Sequence, residues 1–263
     1  MQRLQHCLIS VAIVMCFLIA SASGQDKASA PERQRFDAMP TTLGPVVSAV
    51  GPRLNMKGKE RTIFEGQYTD DTGRTFPVKV IHQLPNLVRL EGFGKDAPPM
   101  TFAGKKTTLR KSVIDDALLE TLATDTAEGM LASIQKGAAV RLLGRFFKPD
   151  PKLDPNYKGE GFDVYEVTAP VTAVAYQPIR MKFYSFDSSS GLLASTRYKN
   201  NTAGAAKDVE VRFSNWQKVD GSSYAGQIDR YESGRLTFSI TWTRVTNGAR
   251  ADVQIFGEDV NTK

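Results

Sequence analysis

The stretch Leu236-Thr237-Phe238-Ser239-Ile240-Thr241-Trp242-Thr243 decides the fold of this chain. Side chains alternate across a strand, so Leu236, Phe238, Ile240 and Trp242 share one face and the hydroxyl residues share the other. One apolar and one wet face is the signature of an antiparallel sheet covered on a single side. Upstream, each run ends in a turn signal. Tyr224 to Glu232 closes at Ser233-Gly234, and the run of Val209, Val211 and Phe213 is followed by Asp220-Gly221. Leu192 to Lys199 ends in Asn200 to Gly204. Ile179, Met181 and Phe183 alternate with Arg180, Lys182 and Tyr184 before Asp187-Ser188-Ser189-Ser190-Gly191, whose short polar side chains and glycine suit a turn. Residues 179–245 are therefore predicted as a five-strand meander with Met181 and Phe183 on its apolar face.

The same pattern begins at Thr62. Phe64, Gly66 and Tyr68 share a face, Asp70-Asp71-Thr72-Gly73 turns the chain, and Val78, Val80 and His82 return. Leu87 to Glu91 is a further strand, Gly92 to Pro99 a loop, and Met100 to Arg110 a hairpin. Ala138 to Phe147 and Phe162 to Val167 are strands separated by a loop with prolines at 149, 151 and 155. A helical insert, 112–137, interrupts them. Ser112 and Asp115 resemble a capping box, and Ile114, Ala117, Leu118 and Leu122 follow helical spacing. A second start at Thr126 leads to Ala127, Met130, Leu131 and Ile134, with Gly137 as a stop. Two helices, 113–123 and 126–136, are predicted. Gly129 weakens the second by about 1 kcal/mol against Ala, which suits a lid that lifts.

The amino end is of another kind. Arg3 precedes an apolar run from Leu8 to Ala20, too short for a stable span, and Ala20-Ser21-Ala22-Ser23-Gly24 offers small residues for cleavage. Residues 1–24 are predicted as a secretory signal. Met15 before Cys16 argues against a lipoprotein attachment site. Residues 25–58, with Pro31, Pro40, Pro45 and Pro52, are predicted as a flexible lead-in with one short helical turn near Val46 to Val50. Both cysteines and His6 lie in the signal, leaving an exported chain without thiols and with His82 as its only imidazole. That excludes cysteine and multi-histidine metal sites, and every His-dependent triad that does not use His82. An exported domain without disulfides fits a bacterial envelope. The net charge of +6 falls by one when Arg3 leaves, and the basic residues are dispersed, so nucleic acid is not an expected partner.

No motif carries catalysis. Gly104-Lys105-Lys106-Thr107 lacks the hydroxyl after its first Lys that a phosphate loop needs. Gly221-Ser222-Ser223-Tyr224-Ala225 ends in Ala where a nucleophile elbow has Gly, and Ser133-Ile134-Gln135-Lys136 stands on a helix surface. The carboxylate pairs Asp70-Asp71 and Asp115-Asp116 serve a turn and a helix start. His82, the candidate base of a hydrolase, reads as a surface or packed residue, and Trp216 and Trp242 read as core aromatics. About ten strands with a short helical insert as cover leave two solutions open. The sheet stays open with a concave apolar face, or it closes on itself as a sandwich or barrel.

The residues resemble one family. Phe183-Tyr184-Ser185-Phe186-Asp187 through Gly191-Leu192-Leu193, then Phe213-Ser214-Asn215-Trp216 with Val219-Asp220-Gly221, and Ile228 to Gly234, are similar to the LolA-like superfamily of exported bacterial proteins. Phe64-Glu65-Gly66 and Leu84-Pro85-Asn86-Leu87-Val88-Arg89 are similar to its first half. The resemblance covers about 62–91 and 180–256. It implies an α+β, mainly β fold over 59–263: a curved antiparallel sheet forming an open half-barrel, with short helices covering the concave face.

The function expected on these grounds is a non-catalytic periplasmic carrier or binding protein for a lipid, a lipoprotein acyl chain or another hydrophobic small molecule. It would act as a monomer, without cofactor, metal or membrane span once the signal is removed. The cavity wall is expected from Phe64, Tyr68, Phe183, Phe213, Ile228, Phe238 and Trp242, and the lid from Leu118, Leu122, Met130 and Ile134. The alternative is an envelope interaction or sensor module with a filled core and a protein partner.

Overall fold

The computed structural model describes residues 41–55, 60–83, 87–92, 100–103, 107–108, 116–147, 161–169, 181–200 and 206–250. The signal, the loops around 93–99, 148–160 and 170–180, and the Ser112–Asp115 capping box lie outside the described residues.

The helical elements are α1 (Gly44–Val50), α2 (Asp116–Glu120) and α3 (Ala127–Gln135). A 3-10 turn (Pro52–Asn55) follows α1, and a single π turn (Thr121–Asp125) joins α2 to α3. The first strands are β1 (Glu60–Asp70), β2 (Thr75–Gln83), β3 (Leu87–Glu91), β4 (Met100–Ala103) and β5 (Thr107–Thr108). After the helices come β6 (Ala139–Phe147), β7 (Gly161–Thr168), β8 (Met181–Asp187), β9 (Leu193–Asn200) and β10 (Lys207–Ser214). The last described strands are β11 (Gln217–Val219), β12 (Ser222–Tyr224), β13 (Gln227–Glu232) and β14 (Arg235–Arg250).

Twelve strands form one antiparallel sheet in the order β5-β4-β3-β2-β1-β14-β13-β10-β9-β8-β7-β6, whose end strands do not pair with each other. The sheet is therefore open, and of the two solutions left by the sequence it adopts the half-barrel. The meander is present as β8-β9-β10-β13-β14. Asp220-Gly221 serves a different hairpin from the one expected, since it joins β11 to β12 in a small separate ribbon inserted between β10 and β13. Asp220 and Ser233 both have positive φ, as do the glycines that follow them, which is the backbone of tight primed hairpin turns.

β14 stands between the two halves, with Tyr68 opposite Ile240 on one side and Ile228 opposite Ile240 on the other. Its inner face is Phe238, Ile240 and Trp242, all buried. Leu236 departs from that face. A register shift between Arg230 and Tyr231 places it opposite Tyr231, 39% exposed. A second shift between Glu65 and Gly66 brings β1 against β14 so closely that a Cβ on Gly66 would sit 2.1 Å from the Thr241 carbonyl oxygen.

Two predicted features are corrected. Residues 41–55 are not a loose lead-in: Leu43, Val46, Val50 and Leu54 are buried in the main core. The Tyr165 hydroxyl donates to the Thr42 carbonyl at 2.7 Å, and α1 packs on the β8–β9 turn at Gly191. Secondly, the inner residues of β8 are Tyr184 and Phe186, so Phe183 lies on the outer face opposite Glu166 and Arg197. The cause is polar. Lys182 and Tyr184 face inward because the Lys182 ammonium binds the buried Asp125 carboxylate and the Tyr184 hydroxyl donates to the Thr124 carbonyl, both on the helical insert, which makes the inward face of β8 read as the outward one.

Gly129 also has a role other than looseness. A Cβ there would lie 2.6 Å from the Ala123 carbonyl oxygen and 2.7 Å from Thr124 Cα, so its bareness lets α3 fold back onto the π turn. Gly129→Ala is expected to lower stability by about 1–3 kcal/mol in urea unfolding, the cost of overpacking, although Ala is the better helix former.

Candidate functional site

The concave side of the sheet is covered by two helical pieces. Leu118, Leu119, Leu122, Met130 and Leu131 of the insert are almost wholly buried, as is the inner face of α1. Both pieces are also held by charge. Asp125, at the end of the π turn, is fully buried against the sheet. Its Oδ1 receives the Lys182 ammonium at 2.5 Å and its Oδ2 the Tyr198 hydroxyl at 3.1 Å, with Arg230 Nη1 at 3.8 Å. Its backbone carbonyl accepts from Thr196 at 2.7 Å. Arg230 donates through Nη1 to Tyr198 and to Thr121 at 2.9 Å each, and the Tyr184 hydroxyl donates to the Thr124 carbonyl at 3.0 Å. Burial and the adjacent Asp125 charge push the Tyr184 and Tyr198 phenols upward, so both remain protonated donors.

A second buried pair ties the two pieces to each other. Arg53, on the 3-10 turn after α1, sets its Nη2 2.5 Å from Glu128 Oε1 on α3. Its Nη1 donates to the Ser223 carbonyl, its backbone N–H reaches the Ser222 hydroxyl at 2.9 Å, and its guanidinium lies 4.0 Å from the Tyr224 ring centroid. The Arg53 Nε–H is buried and, among the described residues, has no acceptor. Such a donor costs about 1–3 kcal/mol relative to a satisfied one.

This pair borders a cavity of about 50 Å³ between sheet and cover. The floor is Phe64, Val80, Val88, Phe213, Ile228 and Trp242, and the cover supplies Leu122, Thr126, Ala127 and Glu128. The side wall holds His82, Leu193, Trp216, Tyr224 and Ala225. Phe64 packs at 5.2 Å from Trp242 and 5.5 Å from Tyr224 between ring centroids. Burial pushes the His82 pKa below its ordinary 6.5. The Glu128 charge opposes that shift and the Arg53 charge reinforces it. Among the described residues no group of three or more His, Cys, Asp or Glu stands together in a metal-ligating arrangement.

Of the expected cavity residues, the structure brings Phe64, Leu122, Phe213, Ile228 and Trp242 together at this space. Tyr68, Leu118, Met130 and Phe238 are buried in the surrounding core, where Tyr68 stacks 5.5 Å from Phe238, and Ile134 packs partly buried against it. Phe183 is on the other face. Among the lining residues that sequence reasoning missed are Arg53, Glu128, Trp216 and Tyr224. Glu128 carried a signal, since an acid beside Ala127 and three residues before Leu131 borders the buried stripe of α3. Arg53 carried none, sitting among breakers in a stretch that reads as linker.

Solved structures are similar to this open antiparallel half-barrel with helices on its concave face. The chain is similar to a LolA superfamily protein from Nitrosomonas europaea, with a TM-score of 0.57 and 9% identity over 84% of this chain and 100% of that one. It is also similar to an outer membrane lipoprotein-sorting protein domain from Vibrio parahaemolyticus (TM-score 0.49, 8% identity, 78% of this chain and 92% of that one). A DUF1329 family protein from Desulfovibrio piger gives a TM-score of 0.49 at 11% identity over the same shares. The fold is LolA-like. No family profile and no curated protein sequence matches the chain.

Replacing Asp125 with Ala leaves the buried Lys182 ammonium without its counter-ion and the Tyr198 hydroxyl without its acceptor, and is expected to cost about 3–5 kcal/mol in urea unfolding. His82 gives a pH signature. Its folded pKa lies below the unfolded 6.5, so the unfolded chain takes the proton first and stability falls as pH drops below 6.5. The unfolding free energy of the wild type relative to His82→Gln should decline over that range and stay flat above it.

Proposed function

We propose that this chain is an exported, non-catalytic carrier or binding protein for an acyl-chain ligand, held between the sheet and its helical cover. One observation carries the reading: an aromatic and aliphatic cavity at the seam between the sheet and two short helical pieces. Cavities of that composition take hydrophobic ligands. The predicted signal over residues 1–24 supports action in the bacterial periplasm.

The size of the space sets the mechanism. About 50 Å³ holds a few water-sized groups, whereas pockets for drug-sized ligands run to about 300–1,000 Å³. An acyl chain therefore enters only when the cover moves off the sheet, and the described conformation is the closed one. The insert is the moving part: its helices are short, a π turn interrupts them, and the buried polar contacts at Asp125 give the closed position a defined geometry. No proton transfer or bond cleavage is assigned to any residue.

A second reading, an envelope interaction module with a filled core, draws on the same small cavity and on side chains exposed at the β6 end of the sheet. Leu142, Phe146 and Met181 are 44%, 52% and 45% exposed.

Both tryptophans of the chain border the cavity, so intrinsic fluorescence reports on it directly. Titration with a palmitoyl ligand is expected to change the emission of wild type and of Trp216→Phe. Native mass spectrometry of periplasmic protein prepared without detergent should show a retained acyl-containing mass. An apo mass that stays unchanged after incubation with phospholipid, with no fluorescence response, would reject the carrier and leave the interaction module.

A further inference from the structure

The two ends of the sheet are built differently. At one end β5 is two residues long. At the other, β6 runs for nine residues, holds neither Lys nor Pro, and among the described residues pairs with β7 alone. Short edges, lysines and prolines keep a sheet from taking on another strand. β6 has none of these and only one bulge, at Leu143. Among the described residues, Leu142, Leu143, Phe146 and Met181 are large apolar side chains exposed at this end.

The pairing with β7 shows what the side chains of β6 select. The bulge passes over Leu143, so Arg141 meets Glu166, Leu142 meets Tyr165, Gly144 meets Val164, Arg145 meets Asp163 and Phe146 meets Phe162. Arg141 and Arg145 bind their acids at 3.0 and 2.8 Å. Along β7 the selected sequence is Phe-Asp-Val-Tyr-Glu, in which an apolar residue precedes each acid. The guanidiniums are the outer charges of this edge. They are 69% and 52% exposed, against 19% and 25% for Glu166 and Asp163 behind them. A strand of the same pattern on the free side would set an acid beside each guanidinium and an apolar side chain beside Leu142 and Phe146. Such cross-strand pairs stabilise a sheet.

Lipid is a poor occupant, since hydrocarbon offers nothing to the unpaired N–H and C=O groups of an edge. Charge disfavours a second copy, because a two-fold antiparallel pair centred on Leu143 sets Arg141 of each copy against Arg145 of the other. We propose that β6 is a docking edge for an extended segment of another protein. That segment adds antiparallel as a further strand and has the pattern apolar-acid-any-apolar-acid. No β6 residue lines the cavity, so the inference stands whether or not the cavity takes an acyl chain.

The test titrates the whole exported chain with two dye-labelled, amidated peptides, Gly-Phe-Asp-Val-Tyr-Glu and Gly-Phe-Lys-Val-Tyr-Lys, followed by fluorescence anisotropy. The acidic peptide should bind about tenfold tighter. It should also slow hydrogen exchange at the β6 amides that point away from β7, which an electrostatic contact elsewhere would not do. Arg141→Glu with Arg145→Glu should reverse the preference. Arg141→Gln with Arg145→Gln should bind both peptides alike, and serves if the reversal fails to fold. No binding, equal affinities in wild type, or tighter binding of the acidic peptide without protection at β6 overturns the inference. A free chain that sediments as a dimer with those amides already protected also overturns it, and assigns the edge to a second copy. Co-sedimentation with phosphatidylethanolamine–phosphatidylglycerol vesicles that Phe146→Ser abolishes overturns it in favour of a membrane.

Discussion

The Asp125 carboxylate is the contact on which the architecture turns. A sheet with one apolar face demands a cover, but apolar packing alone does not say where a cover must sit. A buried acid does, because it tolerates only a position where its oxygens meet donors. Asp125 finds an ammonium, a phenol and a guanidinium from three strands of one half of the sheet, β8, β9 and β13. Those strands in turn carry Lys182, Tyr198 and Arg230 on their inner faces, against the ordinary polarity of a core. Removing water from this set is costly. The return is a single register for the insert on the sheet.

That inversion explains where the sequence was legible and where it was not. Strand positions, hairpin turns, the two helical runs and the Thr126 cap follow from alternation, spacing and turn chemistry, which are local. The Thr126 hydroxyl accepts the Gly129 N–H at 3.1 Å, as the spacing implied. Phe183 was misplaced because β8 alternates polar residues inward, and nothing near Lys182 announces an acid over fifty residues upstream. Of the ordered segment from Thr42 to Leu54 only the short helical turn near Val46 to Val50 is legible, since its prolines and glycines obscure the rest, although Leu43, Val46, Val50 and Leu54 keep a helical rhythm. Of the sixteen lining residues, Phe64, Phe213, Ile228 and Trp242 follow from strand faces and Leu122 from the helical spacing. The polar corner does not, since Arg53 and Glu128 are brought together only by the tertiary fold.

The two buried pairs divide the labour. Asp125 fixes the insert to the sheet, and Arg53–Glu128 ties the insert to the α1 segment. The α1 segment also holds the β8–β9 turn and the β11–β12 ribbon through Gly191, Ser222 and Ser223. The cover is thus one connected object, in which the cavity occupies the junction. Aromatic contacts among Phe64, Tyr224 and Trp242 make the floor of that junction rigid, so adaptation to a ligand falls to the helical side.

The place of β14 has a consequence for how the chain is assembled. It is the last described strand in sequence, yet it lies in the middle of the sheet, with β1 on one side and β13 on the other. Strands β1 to β5 can pair among themselves early, but their junction with the meander closes a loop of well over a hundred residues, as the pairing of Gly66 with Trp242 shows. Such non-local closure slows folding and leaves apolar strand faces uncovered in the interval. A nascent chain of this design keeps two separate half-sheets until its carboxyl-terminal strand arrives, and any chain cut short before residue 235 lacks the element that joins them.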